Sequence, residues 1–378
     1  MNQQPYRICT KTVMDTVGDP DITFDSNGVC NYFEEFTKKL KVRVPSASEG
    51  AKTLSKIVEK IKKEGKNKDY DCLIGVSGGV DSTYTAWLVK SLGLRPLAVH
   101  LDNGWNSELA VKNIENTLNK LGIELFTEVL DWEMFKDLQL SFLKASTPDG
   151  EVPTDHAIMA IMYKLADKFN IKYVISGMNF RNEGFLPPSW ARGHMDWKYI
   201  ESVHKIFGSQ SLKGFPHYTI WRFLYYNLIK RIQVMSFINY IDFNKEEAMK
   251  VIQVELGWKY YGGKHYESIY TRFYQAYILP RKFNIDKRKA HLSSLIMSTG
   301  EISRKDALEI LQTPTADSKL LEDDKEYLLK KMEISEEYFN SLMNQPVKSI
   351  LDYPNNYSIE KNFKKLLNKL RALKVVPN

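Results

Sequence analysis

Cysteine is scarce in this chain of 378 residues: Cys9, Cys30 and Cys72 are all it has. Three thiols cannot build a disulfide scaffold, and so low a count fits a reducing compartment. Long apolar runs are missing too. No stretch approaches the roughly 20 residues that a membrane-spanning helix needs. The opening MNQQPYRICTKTVMD has no apolar centre of the kind a secretory signal carries. These absences set the expectation of a cytoplasmic protein with no membrane partner. Internal repeats and low-complexity tracts are absent as well, which argues against a solenoid or a disordered scaffold. What remains is a composition with 43% hydrophobic and 26% charged residues, enough to bury the core of one large domain or two. The net charge of +7 is spread along the chain. Spread charge suits a surface biased toward anionic substrates better than the clustered footprint of a nucleic-acid binder.

The pattern of the first half is alternating. Residues 1 to about 50 read as irregular, with turn signals at Asp19-Pro20-Asp21 and Asn27-Gly28. A helix-prone basic run covers 53–66. The apolar run at 71–76 reads as a buried strand, and 95–101, 123–129 and 171–176 read as further strands. Helical spacing fills 83–92, 107–121, a stretch from about Asp131, and 154–169. Strand–helix alternation at this spacing predicts an α/β fold, a parallel sheet with flanking helices. Such sheets bind ligands at the carboxyl ends of their strands. Three strand ends carry polar or glycine-rich sequence, 77–82, 102–104 and 177–183, and are expected side by side. Beyond residue 185 the chain turns aromatic and helical, with one long helix expected over 221–240. Ser303-Arg304-Lys305-Asp306 predicts a helix start through Leu311. The last 65 residues read as helical with a break at Pro354. The expected division is an N-terminal segment 1–52, an α/β domain 53–184 and a helical region 185–378.

The segment Ser77-Gly78-Gly79-Val80-Asp81-Ser82 lies between a strand and a helix. Glycines permit a tight turn and close approach of a ligand. The amides at the helix start face an anion, and the helix dipole favours negative charge there. The two serine hydroxyls add donors. An Asp in an anion cradle repels unless it serves Mg²⁺ or holds the loop's shape. The pattern differs from GxxxxGK[ST], which the chain lacks, and from GxGxxG. SGGxDS resembles the PP-loop of ATP pyrophosphatases. The resemblance implies a PP-loop fold, cleavage of ATP between the α and β phosphates, and transfer of AMP to an oxygen that then becomes a leaving group. On that resemblance Ser77, Gly78, Gly79, Val80, Asp81 and Ser82 hold the departing pyrophosphate.

Gly177-Met178-Asn179-Phe180-Arg181-Asn182-Glu183 resembles the GxNxxxE element of NAD synthetases, which implies nucleotide contacts from Gly177 and Asn179. It also implies Mg²⁺ binding by Glu183 together with Asp81. Asp102 ends the second strand, where PP-loop enzymes contact ATP or metal; helix capping is the plainer alternative. Asp155 sits at a helix start facing the same edge and is a candidate substrate contact, although an N-cap role explains Thr154 or Asp155 equally well. In Tyr260-Tyr261-Gly262-Gly263-Lys264-His265-Tyr266-Glu267-Ser268, Lys264 on a glycine-rich turn is placed to offset pyrophosphate charge. His265 and Glu267 are candidate substrate contacts.

Several blocks together resemble the N-acetyl sugar amidotransferases over residues 6 to about 312. They are residues 7–16, 19–25, 27–31, the SGGVDS loop, 262–268 and 279–288. That family is associated with acetamidino sugars of the pseudaminic, legionaminic and diacetamido uronic acid types in bacterial surface polysaccharides and in flagellin glycosylation. The resemblance implies an amidotransferase that converts an N-acetyl group to acetamidino, with ATP and Mg²⁺ as cofactors and Asp81, Asp102, Glu183 and Lys264 as catalytic residues. A nucleotide-activated pseudaminic-type acid is the favoured substrate. The family carries two CxxC pairs near its N-terminus. Here each second Cys is replaced, by Thr12 and Phe33, so no zinc is expected and Phe33 is expected to pack apolar surface. The chain shows no glutaminase motif, which implies free ammonia or a separate glutaminase with an ammonia-channelling subunit. Two other readings stay open: a tRNA-modifying PP-loop enzyme, and a nucleotide-binding scaffold that has lost its chemistry.

Overall fold

A computed structural model describes residues 5–263, 266–359 and 362. Five parallel strands form the sheet: β1 (Cys72–Gly75), β2 (Pro96–Asp102), β3 (Glu124–Val129), β4 (Tyr173–Ile175) and β5 (Gln233–Met235). Their order is β3-β2-β1-β4-β5. Register pairs Leu73 with Leu97 and with Val174, and Ala98 with Leu125. The central strands are almost wholly apolar and buried, as expected where helices cover both faces. β3 lies at an edge and leaves Leu125 and Val129 exposed.

Six helices precede or alternate with the first four strands: α1 (Asn31–Arg43), α2 (Ala47–Gly65), α3 (Val80–Ser91), α4 (Glu108–Leu121), α5 (Trp132–Ala145) and α6 (Val152–Lys168). Local chemistry sets their ends. Ser107 caps α4 by accepting from Ala110 N at 3.2 Å, and Gly122 closes it with φ 58°. Asp131 caps α5 through Met134 N at 2.9 Å.

Four expectations need correction. The N-terminal 50 residues are not irregular throughout: the turn at Gly28 (φ 76°) leads into α1, and α2 begins at Ala47, not 53. Their Tyr32, Phe36, Leu54 and Ile61 are buried, so packing supplied helical order that a Lys-rich sequence obscured. The helix expected over 221–240 ends early. Chain 220–229 is helical, its second turn widened to a π-helix. It then turns at Arg231 (φ 55°), forms β5 against β4, and finishes as a 3-10 turn at Phe237–Tyr240. The free edge of β4 offered backbone partners that a continuing helix could not use. Neither Thr154 nor Asp155 caps α6, because Val152 and Pro153 already form its first turn. Asp102 caps no helix either, that role belonging to Ser107.

Ser303 does cap the helix Arg304–Gln312, accepting from Asp306 N at 3.1 Å. The C-terminal half wraps the carboxyl edge of the sheet. Helix Ser318–Met332 is latched by Arg272, which donates to Asp324 through Nε at 2.7 Å and Nη2 at 2.6 Å. One apolar cluster contains residues from Cys9 to Tyr353 and does not divide at 52 or at 184. Cys9 and Cys30 lie buried together, with Cys30 N donating to Cys9 Sγ at 3.2 Å and Thr12 Oγ1 3.8 Å from Cys30 Sγ. Phe33 packs against the apolar core.

Candidate active site

The loop after β1 is shaped by its two glycines. Gly78 has φ 81°, and a Cβ there would lie 2.5 Å from Ala110 O, so only glycine fits against α4. The serines brace the turn. Ser77 N donates to Ser82 Oγ at 3.3 Å, Gly79 N to Ser77 Oγ at 3.3 Å, and Ser82 Oγ to Gly79 O at 3.2 Å. Gly79 is the N-cap residue of α3, so the next amides have no partner within the helix. Asp81 stands in the first helical turn.

The neighbouring strand ends close on this loop. β2 ends in Asp102, whose Oδ1 accepts from Gly104 N at 2.9 Å and from Asn106 Nδ2 at 3.4 Å. His100 ties β2 to β1: its Nδ1 lies 2.9 Å from Val76 O and its Nε2 3.2 Å from Asn106 Nδ2. With a carbonyl facing Nδ1 and an amide NH₂ facing Nε2, both contacts are satisfied by the neutral ring protonated on Nδ1. Burial lowers its pKa. On the other side, a Cβ on Gly177 would lie 2.9 Å from Ser82 Cα and 3.2 Å from Asp81 C, so the end of β4 abuts the loop. The following turn is a short helix, Phe180–Glu183, capped by Asn179 through Arg181 N at 3.0 Å. Asn179 is fully buried and its Nδ2 has no hydrogen-bond partner among the described residues. Arg181 is structural: its guanidinium donates to Ile238 O at 3.0 Å and Ile241 O at 2.8 Å.

Two described segments of a strap, 258–263 and 266–268, border the loop. Trp258 Nε1 donates to Gly78 O at 2.8 Å. Tyr261 Oη and Glu267 Oε1 lie 3.2 Å and 3.4 Å from where a Cβ on Gly79 would be. The Tyr261 hydroxyl faces the Val80 amide, and its pKa is raised by burial and by the Glu267 carboxylate. The strap is pinned where it leaves, Ser107 N donating to Glu267 O at 2.8 Å and Ile269 N to Trp105 O at 3.0 Å. Lys264 and His265 lie outside the described residues.

Asp155 lies next to this edge, in the first turn of α6. Thr154 Oγ1 accepts from Asn103 Nδ2 at 3.2 Å, which brings the start of α6 to the end of β2. Asp155 itself is solvent-exposed. Desolvation by neighbouring protein atoms, with Glu151 and Asp149 nearby, pushes its pKa up to about 8, while Lys287 opposes the shift. Lys287 Nζ lies 3.6 Å from Glu151 Oε2, which also accepts from Gln275 at 3.0 Å.

The chain is 31% identical over 150 residues to the tRNA-specific 2-thiouridylase MnmA 2 of Fusobacterium nucleatum, covering 37% of this chain and 40% of that protein. It is 35% identical over 107 residues to a glutamine-hydrolyzing GMP synthase of Pyrobaculum aerophilum, covering 28% and 20%. It spans less than half the length of either relative. Residues 267–371 match a family model, the C-terminal domain of WbpG-like LPS biosynthesis proteins. Among solved structures, an NH3-dependent NAD synthetase from Campylobacter jejuni superposes with a TM-score of 0.32 at 13% identity, over 84% of this chain and 98% of that one.

Around the loop 77–82, the structure therefore brings together Asp102, Gly177, Asn179 and Glu267, with Asp155 in the adjoining first turn of α6. Glu183 sits one helical turn beyond Asn179. Sequence reasoning passed over Trp258, Tyr261, His100 and Asn106. Trp258 stands only two residues before the glycine-rich stretch, but a lone Trp carries no motif. The oxygen donors at this edge suit a hard cation. Among the described residues no group of three or more His, Cys, Asp or Glu is placed to hold a metal ion; Asp81 and Glu183 remain candidates for Mg²⁺, which when bound would offset phosphate charge.

Proposed function

We propose that the chain is an ATP-dependent amidotransferase that converts the N-acetyl group of a bacterial surface-glycan sugar to an acetamidino group. The observation that carries this reading joins two halves. The segment matching an LPS-biosynthesis family begins at Glu267, and the side chain of Glu267 lies against Gly79 of the PP-loop. A sugar-pathway region thus meets a phosphate-binding loop at one site.

Amide oxygen is a poor leaving group and has to be activated. In the proposed sequence the amide oxygen attacks the α-phosphorus of ATP and pyrophosphate departs. Ammonia adds to the O-adenylated imidate, AMP leaves, and the amidine remains. The α3 amides and the Ser77 and Ser82 hydroxyls receive the pyrophosphate, so charge building on the leaving group meets donors already in place. Lys264 is proposed to add its charge from the strap. Asp102, held by Gly104 N and Asn106, borders the reacting centre. Asp155, with a raised pKa, is suited to hydrogen-bond the sugar as the neutral acid. Ammonia is free or comes from a separate glutaminase.

The match to a tRNA-specific thiouridylase favours a second reading, RNA modification. Against it, all three cysteines are buried, and Cys72 lies within β1. Sulfur transfer needs a reachable thiolate, and burial raises the Cys72 pKa. Pyrophosphate release decides between the two. Purified protein receives ATP, Mg²⁺ and ammonium with each N-acetylated sugar singly, and product mass is followed. The expected result is sugar-dependent pyrophosphate and a product with NH in place of one oxygen. Release that requires tRNA instead would transfer the assignment to RNA modification.

A further inference from the structure

Trp258 is almost fully buried, in an apolar cluster of its own with Val80, Ile252 and Leu256. Its backbone is fixed from two sides. Trp258 N donates to Ile252 O at 3.2 Å, closing helix Lys245–Leu256. The next residue, Lys259, is clasped by the buried Asn113 of α4: Lys259 N donates to Asn113 Oδ1 and Asn113 Nδ2 to Lys259 O, both at 2.8 Å. The backbone that carries the indole is therefore fixed by elements outside the loop, and the indole spends its one N–H on Gly78 O.

A trans peptide is planar, so its C=O and N–H point in opposite directions. Holding the Gly78 carbonyl against Trp258 turns the Gly79 amide the other way, toward Ser77 Oγ at the start of the loop. Between two glycines a peptide plane flips at little steric cost. The flipped loop would present a carbonyl oxygen to the phosphates where an amide is needed. We propose that Trp258 is a positioning residue of the phosphate site, its indole N–H locking the Gly78–Gly79 peptide in the anion-binding orientation. The role rests on the reading of residues 77–82 as the phosphate site and not on the identity of the sugar.

The test is calorimetric binding of inorganic pyrophosphate, ATP and adenosine to the full chain and to Trp258→Phe, which keeps the ring and loses the N–H. Pyrophosphate and ATP affinities are expected to fall together by about tenfold, the scale of one hydrogen bond. Adenosine, which has no phosphate, is expected to bind unchanged. A second variant, Leu256→Ala, loosens the same cluster while leaving the indole bond, and is expected to lower thermal stability with pyrophosphate affinity kept. Unchanged pyrophosphate binding in Trp258→Phe overturns the proposal. So does an equal loss for adenosine, or an equal loss of pyrophosphate affinity in Leu256→Ala, since each assigns the effect to packing. A wild-type chain that binds adenosine but neither ATP nor pyrophosphate removes the phosphate-site reading itself, and the role of Trp258 with it.

Discussion

Single residues carry most of the site's electrostatics. Gly78 is the least replaceable, because an alanine there combines a left-handed φ with a contact of 2.5 Å to Ala110 O. Gly78→Ala is expected to cost at least about 2 kcal/mol of stability and to abolish pyrophosphate binding, read by urea unfolding and calorimetry. Glu267 has the opposite sign. Its carboxylate lies against the loop that is to receive a polyanion, so Glu267→Gln is expected to bind inorganic pyrophosphate several-fold tighter in the absence of metal, by the same calorimetry. Asp155 gives a pH signature. Its folded pKa is raised to about 8, so the neutral acid is favoured by folding. The stability it contributes is complete below the unfolded value near 4 and is lost as pH rises through 8. Denaturant midpoints of Asp155→Asn, compared with wild type, are expected to improve progressively between pH 4 and 9. A parallel pair of curves would count against the raised pKa.

At the scale of elements, the latch between Arg272 and Asp324 joins the end of the strap to helix Ser318–Met332. Both side chains are largely buried, and removing one leaves an uncompensated charge. Asp324→Ala is expected to destabilise the protein by about 3 kcal/mol, seen as a lower unfolding midpoint, with increased protease cleavage in 318–332. The strand β5 shows how far local patterns reach. Residues 221–240 have the apolar texture of one long helix, and the chain does begin as one. Only the unpaired edge of β4 converts Gln233–Met235 into a strand, a decision made by backbone partners far away in sequence. By contrast β1, β2 and β4 were legible as they stand, since a strand buried on both faces must be apolar throughout. The caps at Ser107, Asp131 and Ser303 are local too, each set by a side chain three residues from its donor.

For the whole molecule, the main apolar cluster takes in the N-terminal segment, the α/β region and the C-terminal helices. The chain is therefore expected to unfold in one cooperative transition by calorimetry. A truncation ending at residue 266, which removes the segment matched by the LPS-biosynthesis family, is expected to lose that transition, because Tyr270, Phe273, Leu328 and Phe339 leave the core. No helix among the described residues is long and apolar enough to cross a membrane.

The sequence by itself determined the parallel sheet, the phosphate loop and the adjacency of three polar strand ends. Those follow from short-range patterns: apolar runs, glycine spacing, and alternation that dictates right-handed crossovers. Only the tertiary structure decided what meets the loop. Trp258 reaches Gly78 across 180 positions, and Tyr261 and Glu267 arrive with it. Asp155 becomes a weak acid only because neighbouring protein atoms desolvate it. Such contacts repeat with no period and obey no local propensity. They exist once the packing of helices on the sheet has set which distant side chains share a surface.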